Sequence, residues 1–180
     1  MLEKRKTRLI YLIIVFVLIS TTGTYFYTKV FFRERLILTD KVLGMRFPDV
    51  KITDEQGNSL IIEDLKKEKA IIILVASDCF ACEMETEMLK TQVNRREIKF
   101  YGIMPFGTIK SLTASKASFP FKTYLDVNGD LREKLQIDRV PIKMFLDHGV
   151  IRKVWIGSGY APLEKDFINF MDTISSHAAL

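Results

Sequence analysis

The two cysteines of this 180-residue chain stand together as Cys79-Phe80-Ala81-Cys82. Sulfurs at that spacing can close into a small ring and reopen, which makes the pair a candidate thiol–disulfide redox centre. Cys79 is the expected nucleophile. A sulfur at a helix N-terminus faces unpaired backbone N–H groups and the positive end of the helix dipole, and both favour thiolate. Cys82, one turn further in and more buried, is the expected resolving thiol. Phe80 and Ala81 put no cation or histidine between the sulfurs, while Asp78, Glu83 and Glu85 oppose thiolate by like charge. These neighbours tune the pair towards a reductant. The plain alternative is an inert structural bridge, although such bridges usually close longer loops.

The elements that must position the pair are a strand before it and a helix after it. Ala70-Ile71-Ile72-Ile73-Leu74-Val75-Ala76 is a continuous apolar, β-branched run, the pattern of a strand buried on both faces of a parallel or mixed sheet. After the cysteines, Ala81, Met84, Met88, Leu89 and Val93 fall at helical spacing as a core stripe, with Glu83, Glu85, Glu87 and Lys90 on other faces. Ile98–Met104 reads as a further strand. Val140-Pro141 precedes a strand at Ile142–Leu146, Asp147-His148-Gly149 has the residues of a tight hairpin turn, and Val150–Ile156 is the partner strand carrying Trp155. A last helix begins near Pro162, with Leu163, Phe167, Phe170 and Ile174 on one side. The succession of strands and helices implies one α/β domain.

Composition narrows the partners. The net charge is +5, but Lys and Arg are spread among acids with no long basic run after residue 8, so no nucleic-acid partner is expected. Two thiols cannot complete a tetrahedral zinc set, and His148 and His177 lie far along the chain, so no metal and no cofactor is expected. Residues 1–8 hold Lys4, Arg5, Lys6 and Arg8, and residues 9–28 contain no charge. Twenty uncharged residues at about 1.5 Å each reach roughly 30 Å, a hydrocarbon core's width, so 9–28 is expected to be a transmembrane anchor. A cleaved export signal is the rival reading; the apolar stretch favours an anchor by continuing through Tyr25-Phe26-Tyr27. The basic start followed by an apolar segment puts the N-terminus in the cytoplasm and the domain outside it, with 29–43 as connector and 44–180 as the folded domain.

Three segments resemble the thioredoxin superfamily, and within it the membrane-tethered TlpA/ResA-like disulfide reductases. Gly44-Met45-Arg46-Phe47-Pro48-Asp49-Val50 with Asp54-Glu55-Gln56-Gly57 is similar to their opening segment, Ala76 to Glu85 to their active-site loop and helix, and Asp138 to Gly149 to their cis-proline loop and hairpin. The resemblance implies a thioredoxin-like fold, a mixed central sheet flanked by helices. It also implies a redox disulfide between Cys79 and Cys82, and a cis Pro141 that sets the Val140 backbone against Cys79 and an extended substrate peptide. The implied partners are a protein with a disulfide or thiol pair, as in cytochrome c maturation, and a membrane thiol carrier that returns electrons. Asp78 stands where such proteins commonly have Trp, and Ile73 where many have a polar or acidic residue that assists proton transfer. Peroxiredoxins place Thr or Ser three residues before their cysteine, where this chain has Ala76. The alternatives are a non-catalytic binding or metal-chaperone module and an exported thiol oxidase.

Overall fold

The structure is a computed structural model that describes residues 11–26, 39–60, 63–93, 98–115, 118–157 and 161–176. It divides into two compact units, Met1–Asp40 and Lys41–Leu180. In the first, residues 11–26 are helical. Among the described residues no helix is long and apolar enough to cross a membrane. The basic segment 1–8, both ends of the expected 9–28 span, and most of the connector lie outside the described residues.

The second unit is built on a seven-stranded mixed sheet. Its strands are β1 (Ile52–Thr53), β2 (Ser59–Leu60), β3 (Lys69–Leu74), β4 (Lys99–Met104), β5 (Lys122–Leu125), β6 (Ile142–Asp147) and β7 (Val150–Ile156), in the order β2-β1-β5-β4-β3-β6-β7. β3, β4 and β5 run parallel, β6 is antiparallel to β3, and β7 to β6. Parallel neighbours need crossover connections. The helices α1 (Phe80–Val93) and α2 (Ile109–Ser115) supply them, and α3 (Asp130–Leu135) and α4 (Ala161–Ser176) complete the unit. Ala70 to Leu74 of β3 are all buried, as the unbroken apolar run requires of a central strand.

The β6–β7 connection is a two-residue turn in which His148 and Gly149 both take the left-handed backbone, with φ of 51° and 76°. That twist matches the flanking strands and accounts for the Asp-His-Gly sequence. Gly102 answers to crowding: a Cβ there would lie 2.6 Å from Thr123 Oγ1 and 2.8 Å from the Phe121 ring. Ahead of β1, the chain hydrogen-bonds along the start of β7. Gly44 N–H donates to Ile151 O at 2.8 Å, Ile151 N–H to Met45 O at 2.9 Å, and Phe47 N–H to Gly149 O at 2.7 Å. α4 packs Phe167 edge-on against Trp155, with ring centroids 5.0 Å apart, and buries Met171 beside it. Phe170 and Ile174 pack against the same core; the side chain of Leu163 lies outside the described residues.

Candidate active site

β3 ends at Leu74, and the chain crosses Val75 to Asp78 before α1 starts at Phe80. Cys79 is therefore the residue that caps the helix. Its carbonyl accepts from the N–H groups of Cys82 at 2.8 Å and Glu83 at 3.1 Å, and the Cys82 N–H also points at Cys79 Sγ, 3.2 Å away. Cys79 and Cys82 are joined in a disulfide across a Cα separation of 5.1 Å. The two sulfurs differ in access, since Cys82 is fully buried within the core cluster and Cys79 is half-buried against it. Only the half-buried sulfur can meet an incoming thiol or disulfide.

The Val140–Pro141 peptide is cis. Leu74, the last residue of β3, is paired in register with Ile142, the residue after Pro141, so the proline loop and the cysteine loop leave the same end of adjacent strands. Val140 is half-buried and packs against the cluster that Cys79 also touches, while Pro141 is buried and its carbonyl accepts from Gly157 N–H at 2.8 Å. Asp78 and Phe80 are exposed, Phe80 by 75%, and Ala81 is half-buried.

Two features of α1 depart from the sequence expectation. The buried stripe is Cys82, Glu85, Thr86 and Leu89, so Glu85 faces the core and Met84, expected in the core, is 47% exposed. Glu85 points inward because Lys143 of β6 is there to meet it. β6 is covered on both faces, so a lysine in it has no route to water, and Lys143 Nζ donates to Glu85 Oε1 with both side chains at most 1% exposed. The Lys143 ammonium also lies 4.9 Å from the Phe167 ring centroid, a cation–π distance. Glu85 Oε2 is buried with no hydrogen-bond partner among the described residues. Glu85 therefore does not act on Cys79 as the bare like charge expected from sequence. Its charge is matched, and Asp78 and Glu83 are the acids left at the surface.

Burial pushes the Glu85 carboxyl above its ordinary value while the Lys143 ammonium pulls it back, and burial pushes Lys143 down against the pull of Glu85. Each group's charge opposes the effect of burial on the other, and Glu164 adds negative potential to both. Lys143 is the cross-strand partner of Ile73, the position at which a polar residue was missing. A charged pair thus occupies the layer behind the disulfide one strand over from that position. A sequence signal for it existed in the lone lysine within the apolar run Ile142–Leu146 and in the i, i+3, i+4, i+7 series from Cys82 through Glu85.

Residues 43–156, well over half of the chain, match the AhpC/TSA family. The chain belongs to the AhpC/TSA family. No curated protein matches it. Among solved structures, a thio-disulfide isomerase from Thermus thermophilus is 19% identical with a TM-score of 0.57, covering 72% of this chain and 96% of that one. The MTB dsbF structure, in mixed oxidised and reduced forms, is 17% identical with a TM-score of 0.59, covering 69% and 94%. An uncharacterised thioredoxin-like protein from Porphyromonas gingivalis is 17% identical with a TM-score of 0.57, covering 72% and 92%. These likenesses identify the AhpC/TSA domain here as a thioredoxin-like α/β fold with a mixed sheet and flanking helices.

Proposed function

We propose that this chain is a membrane-anchored thiol–disulfide oxidoreductase that reduces a protein disulfide outside the cytoplasm, cytochrome c maturation being one such setting. One observation carries the reading: a disulfide at the helix start with one half-buried and one fully buried sulfur, beside a loop with a cis proline. In the reduced chain, Cys79 thiolate attacks a sulfur of the substrate disulfide. That S–S bond breaks, one substrate thiolate leaves, and a mixed disulfide forms on Cys79. Cys82 then loses its proton and attacks Cys79 Sγ, releasing the second substrate thiolate. The substrate has gained two electrons, and the Cys79–Cys82 bridge returns to dithiol at the expense of a membrane thiol carrier. Glu85, one helical turn from Cys82 on the same buried stripe, supplies a carboxylate in the layer where that proton must move. Val140 and Pro141 hold the extended substrate segment, and Asp78 and Glu83 disfavour thiolate at Cys79, which suits a reductant.

Trapping tests the reading. A Cys82→Ala variant is expected to retain a protein on Cys79 through a bond that dithiothreitol releases and that a Cys79→Ser, Cys82→Ala chain lacks. A reduction potential near that of strong oxidants, about −120 mV, overturns the reductant assignment. The anchor, assigned to 9–28 with the N-terminus cytoplasmic, is tested by alkaline extraction: the chain is expected in the membrane pellet, and its release overturns the anchor. Family membership leaves a peroxide as the other group Cys79 could attack. Ala76 at the place of the peroxiredoxin Thr or Ser favours the disulfide, and rapid turnover of hydrogen peroxide would reverse that choice.

A further inference from the structure

α1 presents large apolar side chains to solvent next to the redox pair. Phe80 and Met84, one turn apart and beside the disulfide, are large apolar side chains exposed by 75% and 47%. Below Met84 an open cleft of about 540 Å³ runs along the helix, lined by Ser77, Glu83, Met84 and Glu87 on one side and Ser118 and Phe119 on the other. The chain as a whole is cationic at +5, yet among the described residues the exposed charges from Asp78 to Lys90 are Asp78, Glu83 and Glu87 against Lys90. Lys90 is already bound to Glu87, and among the described residues no cation is ion-paired with Asp78 or Glu83. An exposed apolar strip of this kind marks a contact surface, and methionine suits one that must fit varied side chains. The rim's negative sign selects what can approach it.

We propose that this cleft binds the segment of the substrate protein adjacent to its reacting cysteine, and that the segment carries an apolar side chain next to a lysine or arginine. The inference rests on the disulfide-exchange reading and adds a substrate class to it. The apolar side chain packs on Met84 and Phe119, and the cation lies against Glu83. Residues of the substrate on the far side of its cysteine are then free to run along the Val140-Pro141 loop, so the two surfaces read opposite sides of one scissile disulfide.

The test compares two synthetic peptides with the same disulfide and the same neighbouring leucine, one flanked by lysines and the other by glutamates, reacting with the reduced full-length chain. The lysine peptide is expected to react about tenfold faster at low salt, and the advantage should shrink above roughly 0.5 M salt as the rim charges are screened. Glu83→Lys is expected to erase or reverse the ratio of the two rates. Met84→Ser is expected to remove the gain of leucine over serine at the neighbouring position in otherwise identical lysine peptides. Because each readout is a ratio, a general loss of reactivity cancels. Equal rates on both peptides, or a preference that survives Glu83→Lys, overturns the cleft assignment while leaving disulfide exchange intact. Failure to react with either peptide overturns the exchange reading itself.

Discussion

The two faces of α1 invert the usual distribution of charge. Its inner face carries Glu85 against Lys143 in a site closed to water, and its outer face carries Phe80 and Met84 in solvent beside the exposed pair Glu87–Lys90. Both pairs join a glutamate to a lysine, but their energetics differ in kind. The outer pair sits in high dielectric and contributes little. The inner pair has lost its hydration, so each charge depends on the other, and removing either partner strands the one that remains. A charge in the core therefore reports a requirement of position, and an apolar side chain in water reports a requirement of contact. On α1 both requirements fall within two turns of the disulfide.

Four experiments sharpen this contrast. The largest effect is expected at the sulfurs: Cys82→Ala, on the inner face, abolishes turnover and accumulates mixed disulfide on Cys79, as non-reducing gels with mass spectrometry would display. Next, Lys143→Met or Glu85→Leu alone should cost about 3–5 kcal/mol in denaturant unfolding, whereas the double variant should unfold close to the parent, because no uncompensated buried charge is left. Equal costs for single and double variants would break the contrast between the faces. In Lys143→Met the carboxyl loses the ammonium that restrains its pKa, so the folded value rises further above the ordinary 4.5. The folded state then holds a proton that the unfolded state gives up. Stability should be greatest below about pH 4.5 and fall as pH rises through the raised folded value, which is the opposite sign to a carboxylate held by a salt bridge. Unfolding midpoints from pH 4 to 8 would check it. Smallest is the outer pair: Lys90→Ala should change stability by less than about 0.5 kcal/mol.

The elements flanking the site were legible where one local rule governs them. An unbroken β-branched run can be buried only as a central strand, and β3 is one. Asp147-His148-Gly149 needs two left-handed residues in a row, and the turn has them. The cysteine spacing, with the strand before it and the helix after it, fixed where the bridge sits in the fold. The facing of α1 was not legible, because helical periodicity gives a repeat but not its phase when a buried stripe contains an acid. Glu85 turns inward for a partner 58 positions away, and that partner is visible only once β6 lies against β3. Helical spacing with Ala81 and Met88 points Met84 to the core, yet its place on the helix is fixed by Cys82 and Leu89, which take the inner face.

The three hydrogen bonds that lay residues 44–47 along the start of β7 bear on how the domain meets other copies of itself. β7 is the outer strand of its side of the sheet, and an open outer strand is a template for pairing with a second chain. Here the first residues of that strand are covered by the stretch through which the polypeptide enters the domain. The entry stretch serves as an edge guard, and peeling it away would uncover the first residues of an outer strand.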